Sequence, residues 1–172
     1  MHIQFLENPV QGRYGAMEGR NQAGKQFDRL YRQFLPRLYQ GALYLLGSRE
    51  AAAQAAEAAW LRAFSGRDVS DTRACWFACA SGLVSACAKL RPVPYRAAEI
   101  LEAPTPSQAQ LLSALAGMDY SLRELVVLTG VLGFSPEAAA RLLQIPRTLA
   151  LSRLQRVAAQ LAPAGVKRVP AA

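Results

Sequence analysis

Apolar positions recur at helical spacing along most of this chain of 172 residues, with little of the β-branched alternation that marks a sheet. Phe27, Leu30, Tyr31, Phe34, Leu35 and Leu38 open the first run. Tyr39, Ala42, Leu43 and Leu46 carry it on to Gly47, a natural C-cap. Pro36 lies inside the run and predicts a kink or a division there. Ser48 can cap the next helix, Arg49 to Phe64, whose alanines allow neighbouring helices to approach closely. Ser70 or Asp71 can cap another, Thr72 to Leu90, which carries Trp76, Phe77, Leu83 and Val84. Residues 25–91 therefore read as a small bundle of about four helical segments.

Punctuation divides the rest. Residues 1–24 hold Gly12, Gly15, Gly19 and Gly24 among polar residues and read as a flexible or loosely docked arm. Residues 92–107 contain Pro92, Pro94, Pro104 and Pro106, the composition of a linker. A second helical unit occupies residues 108–162, and 163–172 form a tail. The expected fold is all-α: two small helical domains joined by a Pro-rich linker. The prolines deny the linker a continuous helix and let the domains reorient, and a compact state with the domains docked on each other is the competing arrangement.

The second unit ends in SPEAAARLLQIPRTLALSRLQRVAAQL, residues 135–161, which reads as a helix-turn-helix. Ser135 is an N-cap, Pro136 takes the first helical position, and Glu137 suits the positive end of the helix dipole. Pro146 breaks this helix within a short turn, and a second runs from about Arg147 to Leu161. Ala150, Leu151, Leu154, Val157, Ala158 and Leu161 mark its apolar side. Thr148, Ser152, Arg153, Arg156 and Gln160 fall largely on the other. Three arginines and no acid lie on the element that such a motif lays in a DNA major groove. Arg153 and Arg156 are one turn apart and, with Arg147, Thr148 and Ser152, suit phosphates or base edges. The plain alternative is an amphipathic hairpin whose arginines pair with Glu124 or Glu137 or face water.

Composition supports this without deciding it. The net charge is +8, which favours an acidic partner such as nucleic acid or an acidic protein surface. The excess is spread over both halves of the chain with no polybasic tract. No segment is long and apolar enough to span a bilayer, and the N-terminus lacks a signal-peptide core, so a cytoplasmic protein without membrane insertion is expected. Cys75, Cys79 and Cys87 read as small buried helix residues rather than a disulfide framework or redox pair. The only histidine is His2, so no metal site, cofactor site or nucleophile–base pair is expected, and an enzyme is not.

The order of these pieces resembles a bacterial sigma factor of the extracytoplasmic-function type over roughly residues 25–162. LLGSREAAAQAAEAAWLRAF, Leu45 to Phe64, is similar to the family's LLGDREDAEDVVQEAFLRAW. Trp76 stands at the Trp of the family's WLYRIARNLAIDHLRR helix, Arg123-Glu124 with Leu128 at its RE…L helix, and Ile145 with Ser152-Arg153-Leu154 and Arg156 at its I…SRLxR recognition helix. The resemblance implies double-stranded promoter DNA and core RNA polymerase as partners, with an anti-sigma factor as a further one. It implies polymerase contact at Gln54, Glu57 and Trp60. Apart from the resemblance, Lys89 and Arg91, with Arg73, give the Thr72–Leu90 helix a basic end suited to backbone phosphate.

Departures from the family accompany these matches. The acidic and Gln residues of the family's AEDVVQE shrink to Gln54 and Glu57, and Gly82, Leu83 and Cys87 stand where it carries Arg, Asn and Asp that engage the −10 strand. The recognition helix begins Thr148-Leu149 rather than Gly-Thr, and Leu151 replaces a basic residue. Trp76 reads as core, with stacking of Trp76 and Phe77 on an unpaired base as the alternative. Three functional readings follow: a divergent working sigma factor, a sigma-like adaptor that does not melt promoters itself, and a mimic that occupies an anti-sigma factor.

Overall fold

A computed structural model describes residues 9–65, 68–91 and 93–161, with side chains from residue 22 onward. It is all-helical, and no strand occurs among the described residues. The elements are α1 (Pro9–Leu46), α2 (Arg49–Phe64), α3 (Thr72–Leu90), α4 (Ala97–Ile100), α5 (Pro106–Gly117), α6 (Tyr120–Val126), one π-helical turn (Val127–Val131), α7 (Pro136–Leu143) and α8 (Arg147–Leu161). Among the described residues no helix is long and apolar enough to cross a membrane.

Three helices rather than four build the region of residues 25–91. Pro36 neither kinks α1 into two elements nor ends it: the residue is exposed, so the carbonyl that it deprives of a donor can turn to water. Within the stretch expected to be an arm, residues 1–24, the backbone is helical from Pro9 and continuous with α1. Glycines once a turn weaken helix propensity without removing any backbone donor. Residues 1–8 and the tail lie outside the described residues.

Local chemistry sets the ends of the elements. Gly47 adopts φ +63 and closes α1, its N–H donating to Leu43 O at 2.8 Å. The side chains of Ser48, Asp71 and Ser135 each accept from the backbone N–H three residues on, and so cap α2, α3 and α7. Thr105 and Gln108 form a reciprocal capping box on α5, with Pro106 in its first turn. Pro106 thus starts a helix, and the linker ends earlier than expected.

The alanine face of α2 packs directly on α3. A Cβ on Gly82 would lie 2.9 Å from Ala59 O and 3.0 Å from its Cα, and backbone cannot give way there. Gly82→Ala should destabilise the protein by about 1–3 kcal/mol in urea unfolding, as overpacked sites do. A wild-type midpoint would mean that the two helices can separate at no cost.

The linker is strapped to the bundle. Arg96 N–H donates to Gly47 O at 2.8 Å, and Tyr95 O–H to Tyr44 O at 2.9 Å. Glu99 accepts from Arg49 N–H at 2.7 Å, at the start of α2, and this bond is the main cause holding its carboxyl below the usual range. The two helical units are docked, and a single buried cluster runs from Leu30 to Ala150. Helix α1 packs on the π-turn and α6, and α3 packs on α7. This is the compact arrangement that competes with free reorientation.

Candidate nucleic-acid interface

The C-terminal helical pair is built from its caps inward. Ser135 and Pro136 start α7, and Gln144 ends it in the left-handed region at φ 55. Ile145 N–H then donates back to Ala140 O at 3.0 Å, so the chain reverses before Pro146 and α8 starts at Arg147. Ala150 and Val157 are buried where α8 meets α7 and α6, with Leu154 half-buried beside them.

Those buried positions fix the outward face. Thr148, Ser152 and Arg156 are exposed at successive turns, one stripe along the helix. Arg153 is half-buried and Arg147 exposed, on either flank of the buried stripe. Arg147 pairs with Glu137 at 2.8 Å, and both side chains are well exposed, so the pair adds little stability. Neither Arg153 nor Arg156 makes an ion pair among the described residues. Leu149 is exposed between the two regions.

Arg73 and Lys89 are both exposed but stand at opposite ends of α3. At 1.5 Å per residue that separates them by about 24 Å, so they do not form one patch. The faces between them differ from the expectation. Gly82, Leu83 and Cys87 are buried, pointing into the bundle. They therefore offer nothing to a strand because of their orientation, and not because polar groups were replaced on an exposed face. Burial, and then Glu124, push the Cys87 thiol up to about 12, far from a reactive thiolate. Cys75 and Cys79 are buried as expected. Among the described residues no group of three or more His, Cys, Asp or Glu is placed to hold a metal.

Trp76 is half-buried in a stack that joins the two units. Phe34 lies 4.9 Å from it on the bundle side, and Phe134 stacks on it at 5.8 Å with ring planes 4° apart. The guanidinium of Arg37 lies 4.3 Å from the Trp76 ring centre and donates to Leu132 O at 3.0 Å. Phe77 meets Phe134 edge-on and carries Arg141 over its ring. In the docked state, then, these aromatics are engaged by the C-terminal unit. Phe134, Arg37 and Tyr95 were not foreseen.

On α2, Gln54 and Glu57 are exposed one turn apart, as a partner surface requires. Trp60 is corrected to a core residue: it is 5% exposed and packed among Phe27, Tyr31 and Phe64. Glu57 and Trp60 help to line a shallow apolar groove with Tyr31, Leu35 and Tyr39 of α1. No protein-family model matches the chain, and neither a curated protein nor a solved structure matches it.

Proposed function

We propose that this chain is a sigma-factor-like regulator of transcription initiation that binds duplex promoter DNA and core RNA polymerase. The observation that carries the reading is α8: a helix set behind a tight turn, bearing three arginines and no acid, with Thr148, Ser152 and Arg156 in one outward stripe. As the second helix of a helix-turn-helix it enters the major groove. Arg156 and Arg153 take phosphate or guanine, and Leu149 takes the methyl of a thymine. On this reading Gln54 and Glu57, beside the groove between α1 and α2, meet the polymerase.

A second reading is favoured by α3. Its aromatic pair is engaged by Phe134, and Gly82, Leu83 and Cys87 face the core, so few polar groups remain for an unpaired strand. Opening DNA costs about 1.4 kcal/mol per base-pair step, and capture of the strand must offset it. An adaptor or anti-sigma mimic needs the same architecture without that chemistry.

Co-elution of the full chain with bacterial core RNA polymerase separates the initiation reading from the mimic. A complex weakened when Gln54 and Glu57 are both replaced by alanine is expected. If the polymerase elutes alone at micromolar concentrations, the initiation reading fails and the mimic stands. Permanganate footprinting of such a complex should show weak opening of an ordinary promoter.

A further inference from the structure

We propose that Glu124, on the helix α6 that meets the N-terminal unit through Arg123 on Leu45 O and Arg91 on the Tyr120 ring, is a proton-sensitive latch between the two helical units: with a proton on the carboxyl they stay docked, and without it they part. The inference rests on the docked arrangement and is independent of the DNA reading.

Glu124 is only 9% exposed, and it belongs to the C-terminal unit, while the fully buried Cys87 that interacts with it belongs to α3. The Tyr120 hydroxyl, one turn before Glu124 on α6, is buried too. It falls outside strict hydrogen-bonding geometry, but it lies close enough to the Glu124 carboxyl to donate a weak bond to it. The neighbouring cations do not neutralise the site. Arg123 spends its guanidinium on four carbonyls, and Arg91, at the exposed end of α3, lies over the Tyr120 ring at 5.8 Å. From α1, Arg37 is turned to Leu132 O and Trp76. Among the described residues no ion pair reaches Glu124, so an ionised carboxylate there has only the Tyr120 hydroxyl and the charge of Arg91 to offset its burial.

Burial accordingly pushes the carboxyl up to about 7, and Tyr120 and Arg91 pull it back only in part. Cys87 and Tyr120 are themselves raised, chiefly by burial, and stay protonated throughout. Glu124 is thus the member of the cluster that titrates near neutrality. The docked state binds the proton more tightly than an undocked one in which the carboxyl has its ordinary value of 4.5. Docking is therefore strongest below that value and weakens as pH rises towards about 7, by up to tenfold per pH unit. Over the whole window the docking equilibrium falls by about three hundredfold.

The chain has two tryptophans, so Trp60→Phe leaves Trp76, in the interdomain stack, as the sole reporter. Acrylamide quenching of this full-length variant, with small-angle scattering and circular dichroism alongside, is compared at about pH 5 and about pH 8. The latch requires stronger quenching and a larger radius of gyration at the higher pH, with helicity unchanged. In Glu124→Gln, the neutral isostere, Trp76 should stay shielded at both. Equal quenching and size at the two pH values overturn the proposal. So does a Glu124→Gln protein that opens like its parent, or an opening that comes only with loss of helix.

Discussion

Replacing the buried Arg123 by alanine should cost this protein about 3 kcal/mol or more of stability, the largest loss expected from deleting any single charged side chain. Its Nε donates to Leu115 O at 2.7 Å and its Nη1 to Leu45 O at 3.0 Å. Its Nη2 reaches Met118 O at 3.0 Å and Ala116 O at 3.4 Å, and the guanidinium lies 4.2 Å from the Tyr95 ring centre. These carbonyls lie at the C-terminal ends of α1 and α5, the negative poles of two helices, so one cation serves both. A hydrogen bond to a charged donor contributes about 1.5–3 kcal/mol, and alanine leaves all four carbonyls without it. Lysine should recover only a part, because a point charge with three donors cannot match the planar fork or stack on Tyr95. Urea unfolding of the two variants checks this. A loss below about 1 kcal/mol for alanine would mean that water replaces the guanidinium freely.

Much of the fold was legible because local chemistry and periodicity agreed. Helix α8 spans Arg147–Leu161 as expected, Gly47 ends α1, and Ser48, Asp71 and Ser135 cap the helices that follow. The docking was not legible. Arg123 meets Leu45 across 78 residues and Arg37 meets Leu132 across 95, and no local pattern announces such a bond. Phe134 gave only a weak signal, an aromatic placed just before a helix cap. Pro106 misled because proline marks both linkers and first helical turns, and only the Thr105–Gln108 box tells them apart.

The candidate site was legible to a different degree in each helix. On α8 the apolar stripe defines its own opposite face, so Thr148, Ser152 and Arg156 could be placed from spacing alone. On α3 apolar residues stand all round, and a resemblance gives a position in the chain without saying which way it turns. The resemblance places Gly82, Leu83 and Cys87 on a face towards DNA, whereas all three are buried, Gly82 directly against the backbone of α2. Trp60 failed similarly: an aromatic beside Glu57 reads as a contact residue until Phe27, Tyr31 and Phe64 are found around it.

The arginines of α8 should govern affinity for DNA and its dependence on salt. Arg153 and Arg156 carry no ion pair among the described residues, and α8 packs on α6 and α7 rather than on the N-terminal bundle. On the proposed reading, duplex binding should therefore need no opening of the docked state. Replacing both arginines by alanine should weaken binding by about ten- to a hundredfold, with each lost phosphate contact lowering the log–log salt slope by about 0.9. Arg147→Ala should do less, since Glu137 already offsets part of its charge. The most direct measurement is fluorescence anisotropy of a labelled duplex titrated with the full chain over a range of salt, for the parent and for Arg153→Ala/Arg156→Ala. The account predicts a steep salt dependence in the parent and a shallower one, with lower affinity, in the variant. Equal affinities and slopes from two equally folded proteins would contradict it.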